Sequence, residues 1–382
     1  MGLARKLLHR SIDRSLDKKK RALKRAAVIG ATGAAVAGAT GVAVGWLALK
    51  AVRAVLMADV RAEVVLITGA SRGLGFAMAK EFARLGARVA ICARDTAELD
   101  WARQELETRG ADVFAVQCDV SNQEQVEEMI RRVINNFGRI DILVNNAGVI
   151  EVGPLKSQTL DDFEEAMQIM FWGVVHPTLA VLPHMLERRS GRIANITSIG
   201  GKISVPHLLP YSCAKFAAVG FSEGLHAELA REGIKVTTVV PGLMRTGSHR
   251  NAYFKGDQAT EYNMFALSAT SPLTAMSGHR AAKQIVRAIR MGRAEVILTP
   301  QAKLAALLHG IAPGQTSRVM GLVNRVLPGG SSEQKGRVIG KDTETKITRS
   351  PLTALGRIEG RKLHQYPERR ARGGLPQVQQ AT

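Results

Sequence analysis

Seven short runs of β-branched and other apolar residues recur along the middle of the chain, at 64–67, 88–92, 113–117, 140–144, 192–197, 235–240 and 295–299. Runs of this length bounded by turn residues suit strands that are covered on both faces. Helix-like stretches separate them, so the alternation predicts an α/β fold with a doubly wound parallel sheet. Two further apolar-periodic stretches, within 301–328, predict closing helices that cap the core or rest on a membrane face. From Gly329 onward the chain is polar, basic and punctuated by Gly and Pro. That composition predicts a disordered tail over 329–382.

The N-terminal pattern is different. Residues 26–49 contain no charge and are preceded by Lys18, Lys19, Lys20, Arg21, Lys24 and Arg25. Twenty-four residues are long enough to span a bilayer as a helix. Nine Ala and five Gly make insertion by hydropathy alone marginal. Ala37, Gly41 and Gly45 stand four apart, a spacing that suits close helix packing in a membrane. A membrane anchor within a 1–60 arm is the favoured reading; a buried helix arm and a cleaved signal are the alternatives.

Charge adds one distinction. Of the formal net charge of +20, most lies at the two ends: 1–25 hold ten Lys/Arg against two Asp, and 333–382 hold eleven Lys/Arg against five acidic residues. A nucleic-acid-binding core would need a basic stripe with aromatics, which are only 4% of this chain. No nucleic acid partner is therefore expected, and lipid headgroups facing residues 1–50 suit the basic N-terminal end better. Cys92, Cys118 and Cys213 are too few and scattered for a disulfide framework, and no residues stand at metal-ligand spacing.

The chemistry begins in the loop Thr68-Gly69-Ala70-Ser71-Arg72-Gly73-Leu74-Gly75, between a predicted strand and a predicted helix. Glycines there allow a tight turn and close approach to a pyrophosphate, whose charge a helix N-terminus stabilises. The second strand ends in Ala93-Arg94, where an acidic residue would select the ribose hydroxyls of NAD. Arg94 and Arg72 suit the 2′-phosphate of NADP instead, unless both are simply solvated surface arginines; Asp95 follows directly. Tyr211 and Lys215 stand four apart on a predicted helix and share one face. The ammonium is expected to lower the phenol's pKa and so make it a usable acid/base. Ser198, at the end of a strand, is placed to hold a substrate oxygen.

With these residues the chain from 61 to 300 resembles a short-chain dehydrogenase/reductase. The loop matches TGxxxGxG, Asn145-Asn146-Ala147-Gly148 matches NNAG, Tyr211 and Lys215 match YxxxK, and Pro241-Gly242 matches the PG turn. The resemblance implies a Rossmann-like sheet of about seven strands flanked by helices, and hydride transfer between NADP(H) and an alcohol or ketone. It implies Ser198, Tyr211 and Lys215 as catalytic residues. It further implies cofactor contacts from Gly69, Ser71, Arg72, Gly73, Leu74, Gly75, Arg94, Asp119, Val120, Asn146, Ala147, Gly148, Tyr211, Lys215, Pro241, Gly242 and Thr246. A homodimer or homotetramer is expected on the same ground.

One position departs from the family. Met170 stands where the family has an Asn that supports a proton-relay water, and a thioether is a poor substitute. Either backbone or water takes over, or the domain is a cofactor-binding scaffold or sensor with little turnover. The irregular region 243–278 corresponds to the family's substrate lid; its Tyr253, Phe254, Tyr262 and Phe265 suggest a largely apolar small-molecule substrate. The basic N-terminus predicts a cytoplasmic start and, for a spanning segment, a catalytic domain across the membrane. A cytosolic NADP(H) supply favours instead a segment that lies in the membrane, with the catalytic domain cytoplasmic.

Overall fold

The computed structural model describes residues 57–330 and 336–366 of the 382-residue chain. The anchor candidate at 26–49, the basic arm before it and the chain beyond 366 lie outside the described residues.

The order of elements is β1 (Val64–Thr68), α1 (Gly73–Arg84), β2 (Arg88–Ala93), α2 (Thr96–Glu107), β3 (Val113–Gln117), α3 (Gln123–Phe137), β4 (Ile142–Asn145) and β5 (Glu151–Val152). There follow α4 (Leu160–Met167), a π-turn (Gln168–Trp172), α5 (Gly173–Glu187), β6 (Gly191–Ile196), α6 (Leu209–Glu228) and β7 (Ile234–Val240). The chain then forms β8 (Met244–Arg245), β9 (Tyr253–Phe254), α7 (Gln258–Thr270), β10 (Met276–Ser277), α8 (Gly278–Arg290) and β11 (Glu295–Ile297). It ends in α9 (Pro300–Ile311), α10 (Pro313–Asn324), β12 (Val338–Ile339) and α11 (Ala354–Lys362).

Seven strands form one sheet in the order β11-β7-β6-β4-β1-β2-β3, with every pair parallel. Side chains on a strand alternate between faces, and β1 shows the consequence. Val65 and Ile67 enter one core with α1, α2 and α8, while Val64 and Leu66 enter the other with α3, α5 and α6. All five β1 residues are buried, which explains why the strand reads as an unbroken apolar run rather than an alternating one. The order reverses between β1 and β4, and in open α/β sheets that reversal opens a crevice at the strands' carboxyl ends.

Among the described residues, the helical run Leu160–Glu187 is long and apolar enough to cross a membrane by length and composition. Half of its apolar 18-residue stretch is buried in the fold, and Val181 and Met185 pack in the core beneath the sheet.

The C-terminal region departs from its reading as a disordered tail. Residues 336–366 are folded onto the domain: β12 pairs antiparallel with β9, which pairs with β5 in a small second sheet. Glycines that composition reads as breakers are here points of close packing. A Cβ on Gly340 would lie 2.2 Å from the His249 carbonyl oxygen, and one on Gly356 2.2 Å from Thr270 Cγ2. Glu344, from the same region, pairs with the buried Arg250.

Candidate active site

The β6 strand delivers Ser198 and helix α6 delivers Tyr211 and Lys215 to the mouth of the crevice. Ser198 Oγ accepts the Gly200 N–H at 3.0 Å, which fixes its rotamer. Gly200 has to be bare, since a Cβ there would sit 3.0 Å from Tyr211 Cε1 and 3.5 Å from Ser198 Oγ. The two hydroxyls thus meet across a glycine. Lys215 is buried and donates from Nζ to the Ile196 carbonyl at 2.9 Å; its Nζ lies 5.9 Å from the centre of the Tyr211 ring.

The electrostatics correct the sequence expectation. Burial raises the Tyr211 phenol above its ordinary range, with the Ser198 hydrogen bond pulling weakly the other way. Burial also pushes the Lys215 ammonium down to about 8. Desolvation penalises the charged form of each group, and here it outweighs the attraction that spacing alone suggests. The phenol is therefore a proton donor at neutral pH.

Met170 is buried beside this pair. Its Sδ and the Lys215 Nζ both lie 3.8 Å from the point where a Gly148 Cβ would stand. It sits within the π-turn, a rearrangement of the helical ladder that recurs at functional sites. The surroundings of the phenol are apolar: Ala166, Ile169, Met170 and Ala214, with Val149 and Met167 packed against them.

The glycine loop runs above β1. Gly69 and Gly73 both have φ +62, a conformation that favours glycine. Asn146 clamps the loop from β4, donating from Nδ2 to the Thr68 and Gly69 carbonyls at 2.9 and 3.0 Å. The Asn146 and Ala147 amides donate to Thr68 Oγ1 at 2.9 and 3.1 Å. Helix α1 begins with no side-chain cap and no acidic residue in its first turn, so its amide end suits an anion. The Leu74 and Gly75 backbone continues this turn. On the far bank the Pro241 carbonyl accepts the Ile199 N–H at 2.8 Å, and Gly242 packs on Thr299. Thr246 is buried against Gly278. These residues fit a dinucleotide.

At the ends of β1 and β2 the arginines have partners that the sequence did not disclose. Arg72 pairs with Glu98 at 2.7 Å, and Ser71 Oγ donates to the same carboxylate at 3.3 Å. Arg94 stands 3.9 Å from Asp119, whose Oδ1 also accepts from Ser121. Asp95 caps α2 by accepting the Glu98 N–H at 2.8 Å. Val120 is buried under Gly173.

Three features escaped sequence reasoning. A buried polar chain runs Thr178–Asn145–Asn195–Ser222–Thr238, with links of 2.9, 2.8, 3.0 and 2.8 Å, tying β4, β6 and β7 to α5 and α6. His207, four residues before Tyr211, has φ 63 and pairs through Nδ1 with Glu261 of the lid helix α7 at 2.6 Å. The lid aromatics are mostly structural: Phe254 and Tyr262 are buried in a small core with Val152 and Ala266, and Tyr253 stacks under Arg337 at 4.4 Å.

Comparison with known proteins decides the family. The profile for short chain dehydrogenase matches residues 63–255. The chain belongs to the short-chain dehydrogenase/reductase family. Its relatives include the SadH oxidoreductase of Mycobacterium tuberculosis, 34% identical over 69% of this chain and 96% of that protein. A 3-oxoacyl-[acyl-carrier-protein] reductase of Synechocystis is 37% identical over 51% of this chain and 79% of the relative. A solved short-chain dehydrogenase/reductase from Burkholderia phymatum in complex with NAD superimposes with a TM-score of 0.63 at 26% identity, over 68% of this chain and 97% of that one. An actinorhodin polyketide ketoreductase with NADPH gives 0.57 at 31%, over 63% and 97%. As a member of this family the chain is an NAD(P)-dependent dehydrogenase/reductase, with the family's seven-stranded Rossmann-like sheet.

Proposed function

We propose that this short-chain dehydrogenase/reductase reduces an apolar ketone with NADPH, Tyr211 supplying the proton. The observation that carries the reading is the Tyr211 phenol beside Ser198 and the buried Lys215, packed among the apolar side chains of Ala166, Ile169, Met170 and Ala214. When bound, the nicotinamide supplies or accepts the hydride. Ser198 holds the carbonyl oxygen, and Tyr211 donates its proton to that oxygen as charge develops on it. Lys215 holds the nicotinamide ribose and returns a proton to the phenol. Its rearranged π-turn neighbour favours a main-chain or water relay in place of the missing Asn, over a silent scaffold. The ketoreductase relatives agree with a carbonyl substrate.

NADP(H) is favoured over NAD(H) because no free acidic side chain stands at the end of β2: Asp95 is held as a helix cap. Arg94 and Arg72, with Ser71, line that side, and a 2′-phosphate would compete with Glu98 and Asp119 for them. The test is oxidation of NADPH and NADH with a panel of hydrophobic ketones and β-ketoacyl thioesters. NADPH turnover is expected to be level up to about pH 8 and to fall above it, as Lys215 loses its proton. Alcohol oxidation, which needs the phenolate, is expected to rise with pH. A scaffold would bind NADPH and turn over none of the panel.

We also propose contact with an anionic membrane. In the hairpin α9–α10, Leu304, Leu307, Ile311, Val319 and Leu322 are exposed. The whole stretch 296–332 contains no acidic residue and carries Lys303, Arg318 and Arg325. Apolar side chains beside cations suit an anionic bilayer surface. With the uncharged stretch 26–49, this gives the catalytic domain two attachments on the cytoplasmic side. Flotation with phosphatidylglycerol vesicles is expected to recover the protein, and L304S/L307S/I311S to weaken recovery of a chain lacking residues 1–56. Equal flotation of that triple variant would remove the hairpin from the account.

A further inference from the structure

After α11 the chain turns sharply at His364, which has φ 62, and crosses from the start of the lid to the glycine turn. The crossing residues Leu363, His364 and Gln365 are all buried. The Leu363 carbonyl accepts the N–H of Gly73 at 2.8 Å. Gln365 lies over the same glycine: its Nε2 is 2.7 Å from the point where a Gly73 Cβ would stand. The stem of Gln365 reaches the other bank, 2.9 Å from the corresponding point on Gly247, and Asn251 donates to its Oε1.

The segment is anchored outside the crevice. His364 lies against Phe76 of α1 and Trp101 of α2 with the rings tilted, and its Nε2 meets Glu105 at 2.5 Å. Lys80 Nζ donates to the Lys362 carbonyl at 3.0 Å. On the lid side Glu359 accepts the Gly278 N–H at 3.1 Å, and Leu363 packs on Gly278 next to Thr246.

We propose that residues 354–366 are a latch across the dinucleotide crevice. A backbone carbonyl presents a partial negative charge to the amide of Gly73, as a phosphate oxygen would, and an amide side chain fills the space above the bare Cα. The docked latch and a pyrophosphate seated on this turn therefore exclude one another. The cofactor binds and leaves only when the segment lifts from Gly73. This rests on the dinucleotide reading above and adds that the chain's own C-terminal region competes for the site.

A site that is competent only in a fraction of molecules has its apparent affinity lowered by that fraction. His364→Ala removes the anchor and leaves every side chain assigned to the cofactor unchanged, although the imidazole also faces the Ser71 backbone. In the full chain it is expected to tighten NADPH binding about tenfold and to speed association, both read by stopped-flow cofactor fluorescence. Hydrogen exchange without cofactor supplies the second readout. The Gly73–Phe76 amides are expected to lose protection in His364→Ala and in Gln365→Ala, while the β4 and β6 amides keep theirs and so report an intact fold. Equal NADPH affinity with unchanged exchange overturns the latch, and so does weaker binding in the variants, which would make the segment a clasp on bound cofactor. Failure of both wild type and variants to bind NADPH or NADH overturns the dinucleotide reading itself.

Discussion

Replacing Tyr211 by Phe will lower the rate of ketone reduction by about 10²–10⁴-fold and leave NADPH affinity close to wild type. The loss follows from removing the proton donor at the reacting oxygen. Ser198 cannot take over, because its hydroxyl is fixed by the Gly200 amide and has no adjacent base to replenish its proton. Packing is preserved: the ring keeps its contacts with Gly200 and with the Ala166, Ile169 and Met170 cluster. The kcat term should carry nearly all of the effect, measured at saturating NADPH. A fall confined to KM would place the phenol in substrate binding instead of proton transfer.

Gly75→Ala is expected to destabilise the fold by about 3 kcal/mol and to abolish dinucleotide binding. A methyl there would stand 2.3 Å from the Gly69 carbonyl oxygen and 2.5 Å from Asn146 Nδ2. The loop and the strand end that clamps it must both shift, and the turn loses the shape that faces the pyrophosphate. Gly220→Ala makes the contrast. Gly220 is exposed on α6 with nothing within 4 Å of its would-be Cβ, so alanine should stabilise the protein by up to about 1 kcal/mol through helix propensity. Thermal melts of the two variants should therefore move in opposite directions.

The strands and the meeting of Ser198, Tyr211 and Lys215 were legible because each depends on local pattern. A doubly covered strand has to be apolar throughout, a dinucleotide turn needs glycine at fixed offsets, and Tyr211 and Lys215 share a helix face by their spacing. Electrostatics were not legible to the same degree. Four-residue spacing gives the distance between phenol and ammonium and says nothing of how far burial removes both from water, which decides the direction of the Tyr211 shift. Glu98 was invisible as a partner of Arg72 because the two lie on different elements, joined only when α1 and α2 pack. The place of the lid aromatics was hidden for a related reason: apolar content does not say which side chains face inward to their own core, as Phe254 and Tyr262 do.

The C-terminal region shows the limit most clearly. Its glycines, prolines and charges have the composition of an unfolded tail, yet Gly340 and Gly356 press on His249 and Thr270, and Gly360 on Gly247. Leu363 meets Gly73 across 290 residues of sequence, a contact that no periodicity announces. The charge in this region is likewise partly used within the fold: Arg337 pairs with Glu165 and Glu151, and Glu344 with Arg250.

The proposed reduction depends on a single phenol delivering a proton as hydride reaches the neighbouring carbon. The direct measurement is a single turnover with NADPH deuterated at the transferable position and an apolar ketone, with the product alcohol analysed by mass spectrometry. Wild type is expected to place one deuterium on the carbinol carbon for each NADPH oxidised, and Tyr211→Phe to bind the same cofactor and label almost no product. Labelling by Tyr211→Phe at the wild-type rate, or tight NADPH binding by wild type with no labelled alcohol from any ketone tested, would contradict it.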